Sequence, residues 1–222
     1  MDLSENLKIK VNEKLYIKDP ETSILGKKII QESIILIDEI GFDHFTFKKL
    51  GEKIKSNESS IYRYFENKHK LLVYLSSWYW SWMEYKLILA TANSTNSKEK
   101  LKKAITVVTE KVTVDTKIEH INELILNKII IAEFTKTLQT KEVDQENKEG
   151  FFQIYKRVIN TIANIVNEVN PSYPYAKSLV STIVEGNLHQ HFLNEHLKTI
   201  TDCNEPDSTT QFYLNIADNV LR

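Results

Sequence analysis

Apolar residues recur at three- and four-residue spacing along almost the whole chain, and that period admits little besides α-helices. Ile30, Ile34 and Ile37 fall on one side of a helix, as do Phe47, Leu50 and Ile54. Only 5 glycines and 4 prolines punctuate 222 residues, too few for a turn-rich β architecture. The expectation is an all-α protein. A hydrophobic content of 41% is enough for a sizeable core, in one large domain or two small ones. The formal net charge is −1, so any attraction for nucleic acid has to come from local charge.

Three regions are expected. Residues 1–19 read as an arm, because Leu7, Ile9 and Val11 alternate with polar neighbours. Asp19-Pro20 then starts a helix, with Asp as cap and Pro at the first helical position, and Gly41 ends it. Thr46 caps a short helix running to Ile54. Asn57 caps a third through Phe65, and a long fourth runs from Lys68 to Thr91. The run NSTNS at 93–97 is a loop. Helices are expected over 98–114, 118–138, 146–169 and 173–198, with a last one from 207. A small helical domain, 20–75, thus precedes a larger helical body, 76–222.

Within the small domain, TFKKLGEKIKSNESSIYRYF has the pattern of a helix-turn-helix, whose second helix fits the DNA major groove. Phe47, Leu50 and Ile54 face Ile61 and Phe65, and Gly51 lets the helices approach. Between His44 and Lys70 there are seven lysines and arginines against three glutamates, a local charge of +4. Such cations neutralise phosphates and release counterions.

The longer stretch IGFDHFTFKKLGEKIKSNESSIYRYFENKHKLL resembles the DNA-binding domain of the tetracycline-repressor (TetR) family. Its marks are Gly-aromatic, a Thr-capped short helix, a tight turn, a recognition helix ending Tyr-x-x-Phe, and a Lys opening the fourth helix. The resemblance covers roughly 24–75. It implies DNA contacts from Glu58, Ser59, Ser60, Tyr62, Arg63 and Tyr64, and phosphate contacts from Thr46, Lys48 and Lys68. It also implies a helical ligand-sensing and dimerisation body, so that a homodimer would meet a pseudo-palindromic operator in double-stranded DNA. The family commonly has Gly-Val-Ser where this chain has Lys55-Ser56-Asn57.

In the body, Tyr74, Trp78, Trp82 and Tyr85 share one helical face. They read either as core packing or as the wall of an effector pocket completed by Ile125, Ile129 and Phe134. The latter suits a small apolar or aromatic effector. Trp80 points away from that face, toward the surface or a dimer partner. The helices flanking Pro171 are expected to pair two subunits through Phe152, Tyr155, Ile159, Leu188, His189 and Phe192. Glu185, His189 and His196 also share a face, but the two histidines are about 10 Å apart along the axis, too far for one metal ion.

No phosphate loop, nucleophile elbow or paired metal-histidine motif is present, so no enzyme and no cofactor are expected. Cys203 is the single cysteine, which fits a reducing cytoplasm. The most apolar stretch, 121–134, is interrupted by charges and cannot span a bilayer.

Overall fold

The computed structural model describes residues 9, 11–113 and 120–222. Leu7 of the expected arm and the outer ends of the helices expected over 98–114 and from 118 lie outside them. Among the described residues there is no strand. The helices are α1 (Ile24–His44), α2 (Phe47–Ile54), α3 (Glu58–Tyr62), α4 (Lys68–Thr91), α5 (Ser97–Thr109), α6 (Glu123–Leu138), α7 (Val143–Lys148), α8 (Gln153–Val169), α9 (Ala176–His196) and α10 (Ser208–Val220). None of the described helices is long and apolar enough to cross a membrane.

The chain divides into two compact units. The first holds Met1–Ser81 with Val112–Gln153, and the second Trp82–Lys111 with Ile154–Arg222. The division falls inside α4, so it cuts across a contiguous split at residue 75.

Several boundaries differ from the sequence expectations, each for a local reason. The arm is not extended throughout: Asn12 caps a 3₁₀ turn at Glu13–Leu15, and Leu15 is buried. Pro20 opens a separate 3₁₀ turn whose cap is Asp19, while α1 begins later with Ser23 accepting from the Gly26 N–H at 3.0 Å. Gly41 takes φ 75 and ψ 155, a conformation for which glycine is suited, and breaks the helical path as expected. Gly150 (φ 85) splits the helix expected over 146–169 into α7 and α8. Helix α5 stops at Thr109, where Glu110 turns extended.

In the first unit Ile29, Ile30, Ile34, Leu50, Ile61 and Phe65 form the centre, each contributing about 1.5–3 kcal/mol by leaving water. Tyr74 meets Phe65 and Tyr16 edge-on, with ring centroids at 5.3 and 6.1 Å. Its hydroxyl points at Glu21, which also bonds His120 at 2.9 Å. Burial, then the Glu21 charge, push the Tyr74 phenol well above its ordinary pKa. The first half of α4 is tied down by His69 to Glu146 at 2.7 Å, Tyr79 to Asn127 at 2.9 Å and Ser77 to the Phe151 carbonyl at 3.3 Å. Trp80, expected at the surface or toward a dimer partner, is buried against Tyr79 and Phe134, with centroids at 5.1 and 5.9 Å.

In the second unit α5, α9 and α10 pack together. Asn187 donates to the Val108 carbonyl at 2.9 Å, and Thr109 meets Thr210 at 3.0 Å. Gly186 lies against Tyr213 so closely that a Cβ there would collide with the phenol oxygen. Arg157 grips Glu84 through two bonds of 2.8 and 2.7 Å, the bidentate fork that guanidinium and carboxylate favour.

Candidate nucleic-acid interface

The helix-turn-helix is assembled by side chains that satisfy its helix ends. The Thr46 hydroxyl accepts the Lys49 N–H at 3.2 Å and starts α2. The helix ends at Lys55, whose left-handed φ of 56 and ψ of 45 let the Ser56 N–H reach the Gly51 carbonyl at 2.9 Å. A Cβ on Gly51 would stand 2.9 Å from the Ser56 oxygen and 3.3 Å from the Glu58 nitrogen, so the turn closes only over a glycine. Lysine therefore occupies a left-handed position that favours glycine, at a cost of about 1 kcal/mol. Asn57 Oδ1 then accepts the Ser60 N–H at 2.9 Å and both the Ser59 and Ser60 hydroxyls at 2.7 Å, which starts α3.

Short as α3 is, its two sides differ. Ile61 is buried, whereas Ser59, Tyr62 and Arg63 are exposed and Glu58 and Ser60 are half-buried. Tyr62 is 46% exposed and rests its ring edge on Phe47, 5.0 Å between centroids, which limits the ring's freedom before any partner arrives. Arg63, at the helix end, has no ion pair among the described residues. Thr46 and Lys48 are exposed at the start of α2.

Two expected DNA contacts take other roles. Tyr64 is only 3% exposed, and its hydroxyl bonds Ser23 Oγ at 2.8 Å, so it is a packing residue. Lys68 aims its ammonium at the carbonyls of Phe42, Asp43 and Phe45 and is a clamp on the end of α1. Lys49 bonds the His44 carbonyl, Lys53 bonds Glu39 and Lys70 sits over the Phe151 ring at 4.0 Å. Of the seven basic residues read in the sequence, Lys48, Lys55 and Arg63 thus remain without such an internal engagement among the described residues.

The expected pocket and dimer residues fare unevenly. Tyr74, Trp78, Trp82, Ile129 and Phe134 are buried, while Tyr85 and Ile125 are half-buried. None of them lines the groove in the second unit. That groove, about 760 Å³, is bounded by Lys86, Leu89 and Ala90 of α4 and by Glu99, Lys102, Lys103, Thr106, Val107 and Glu110 on and after α5. Its residues are ordinary surface types, which is why the sequence did not single them out. Phe152, Ile159 and Leu188 are buried within their own chain. Tyr155 and Phe192 are half-buried and His189 exposed, with Phe192 stacked on His189 and tilted against His196 at centroid distances of 6.4 and 4.7 Å. Among the described residues no group of three metal-ligating side chains forms.

Residues 29–75 match the family model described as bacterial regulatory proteins, tetR family. No curated protein matches the chain. Several solved structures share its fold. The ketosteroid transcriptional regulator KstR2 of Mycobacterium tuberculosis aligns at a TM-score of 0.53 and 13% identity, over 97% of each chain. The fatty acid degradation regulator FadR of Bacillus halodurans aligns at 0.54 and 17%, over 87% of this chain and 96% of that one. AibR, solved with isovaleryl coenzyme A and operator DNA, aligns at 0.52 and 13%, over 87% and 94%.

Proposed function

We propose that this chain, a regulator of the TetR family, is a ligand-responsive repressor that binds operator DNA as a homodimer. The observation that carries the reading is α3: a capped helix with Ser59, Tyr62 and Arg63 outward, presented by a turn that closes over Gly51. In this reading α3 enters the major groove, Arg63 meets a base edge, and Lys48 and Lys55 meet phosphates with the Thr46 hydroxyl beside them. Dimerisation runs through the outward faces of α8 and α9, with Tyr155, His189 and Phe192 at the contact, and brings two recognition helices to successive turns of one duplex.

The effector in this reading occupies the groove between α4 and α5. Leu89, Ala90 and Val107 offer it an apolar floor, and the rim carries Lys86 and Lys103, paired with Glu110 and Glu99, together with Lys102. Three lysines against two glutamates leave the rim one positive charge in excess, which favours a small molecule with an apolar body and one anionic end. AibR, with its acyl-coenzyme A and operator, shows that one chain of this fold holds both kinds of partner. Effector binding would release DNA only by preferring a conformation that holds operator poorly.

The test is selection of duplexes from a random pool by the purified chain, followed by sedimentation of the protein with the selected DNA. A pseudo-palindromic consensus bound by two subunits supports the reading. No enriched sequence, or a monomer on the DNA, counts against it.

A further inference from the structure

We infer that Lys18 and Lys27 form a second, backbone-directed DNA contact beside the recognition helix, on phosphates that α3 does not itself reach. The inference rests on DNA binding through α3, as proposed above.

Three bonds fix the residues around these lysines against the helix-turn-helix. The Ile17 N–H donates to the Tyr64 carbonyl at 2.8 Å, so the residue before Lys18 is bonded to the residue after Arg63. Ser23, the cap of α1, shares a 2.8 Å bond with the Tyr64 hydroxyl. Lys28 donates to the Ile54 carbonyl at 3.1 Å, which seats the first turn of α1 on the end of α2. Lys18 Nζ lies 5.3 Å from the Tyr64 ring centroid, a looser contact than that of Lys70, which is 4.0 Å from the Phe151 ring and 4.0 Å from Glu149, so the Lys18 ammonium stays open to a phosphate. Lys18 and the start of α1, which carries Lys27 four residues after the cap Ser23, thus both adjoin Tyr64, a residue too buried to touch DNA.

The arm is also held in place before DNA arrives. Leu15 is 1% exposed, Tyr16 meets Tyr74 edge-on at 6.1 Å, and Asn12 donates to the Glu149 carbonyl at 3.0 Å. A contact built on such an arm avoids the ordering entropy that a free tail loses on binding. Lys18 and Lys27 are exposed, and neither has an ion pair among the described residues. The acids nearest in sequence are turned elsewhere: Asp19 accepts the Glu21 N–H at 2.9 Å, and Glu21 serves His120 and Tyr74. Ile17 and Ile24 beside them are 66% and 90% exposed, an apolar pair that folding leaves in water and a docked duplex would cover.

The experiment compares the full-length wild type, Arg63→Ala and the double variant Lys18→Ala/Lys27→Ala, using fluorescence anisotropy with a labelled random-sequence duplex across a salt series. The double variant is expected to flatten the plot of log affinity against log salt by about 1.8, two phosphates at about 0.9 each, while its melting temperature and the sequence it selects from a pool stay unchanged. Lys18→Arg/Lys27→Arg should restore the slope. An undiminished slope overturns the inference, as does a slope loss accompanied by a lowered melting temperature that arginine does not rescue. If Arg63→Ala abolishes sequence preference while the double variant keeps its slope, only this inference falls. A wild type that binds no duplex overturns the DNA reading and this inference together.

Discussion

The ammonium of Lys68 lies 3.0 Å from the Phe42 carbonyl oxygen and 4.8 Å from the centroid of the Phe42 ring. With the Asp43 and Phe45 carbonyls at 3.2 Å each, one cation gathers three carbonyls where Gly41 breaks α1. The first residue of α4 is thereby fastened to the entrance of α2. Lys68→Met should lower unfolding stability by about 1.5–3 kcal/mol, the range for hydrogen bonds to a charged group. Urea titration reads the loss, and the salt slope for DNA should not change, because this charge does not face phosphate. A variant with wild-type stability and a slope lower by about one would return Lys68 to the phosphates.

Arg63 and Lys48 should separate cleanly on DNA. Arg63→Ala is expected to cost roughly 1–3 kcal/mol on the selected operator and little on random duplex, and to relax preference at one base pair. Lys48→Ala should weaken both duplexes alike and lower the salt slope by about one. Binding constants on the two duplexes decide the matter. Equal losses for Arg63→Ala would remove it as a base reader.

The turn carries a strain that a substitution can remove. Lys55→Gly should raise stability by up to about 1 kcal/mol, since glycine adopts the left-handed conformation without a Cβ penalty, offset in part by a looser unfolded chain. Gly51→Ala should lower it by about 1–3 kcal/mol, because its Cβ meets backbone rather than a movable side chain. Calorimetric melting of the two variants should shift in opposite directions. The Lys55→Gly gain comes with loss of a free cation, so its DNA affinity should fall even as stability rises.

The helix-turn-helix was legible because its signals are local: Thr46 and Asn57 are caps, Gly51 is a close approach, and Phe47, Leu50, Ile54 and Ile61 repeat at helical spacing. What stayed hidden was which side chains the chain would use on itself. Tyr64 and Arg63 are neighbours of similar promise in sequence, yet the former is consumed by Ser23 and the latter is not. The same holds for Trp80, whose helical face points away from the stripe of Trp78 and Trp82 but meets Phe134 from α6. Helical period assigns faces, and only tertiary packing says how many faces are covered. Gly150 is a local helix-stop signal set inside an apolar repeat, and its positive φ divides α7 from α8.

His191 gives the second unit a pH dependence of definite sign. Its Nε2 meets the Thr109 carbonyl at 3.2 Å, and burial holds its pKa below the ordinary histidine range, with the nearby Lys111 charge acting in the same direction and the Thr109 bond opposing both. Between the lowered folded value and about 6.5 the unfolded chain binds the extra proton, so this contribution to stability is full above that range and declines as pH falls through it. His191→Gln should flatten the fall of melting temperature measured between neutral and mildly acidic buffer. The flattening cannot exceed about 1.4 kcal/mol per pH unit for one proton. A variant as acid-sensitive as the wild type would place the effect on other groups.

Lys86 links the groove to an optical signal. Its ammonium stands 4.9 Å from the Trp82 ring and 2.9 Å from Glu110 Oε1, so it is shared between an aromatic face and a carboxylate at the groove's edge. An anionic ligand in the groove competes with Glu110 for that cation and draws it off the indole, which changes the field that sets tryptophan emission. Decanoate, with an apolar tail for Leu89, Ala90 and Val107 and a carboxylate for the lysine rim, is the probe. Its titration should shift emission and weaken operator binding over the same concentration range. Lys86→Met should raise the decanoate dissociation constant about tenfold, the worth of one charge-assisted hydrogen bond of about 1.4 kcal/mol. Trp82→Phe should abolish the emission change while leaving DNA release intact. A full emission change in the Trp82→Phe protein would put the ligand near Trp78 or Trp80 instead, and a titration that moves neither signal would eliminate long-chain carboxylates as the effector class.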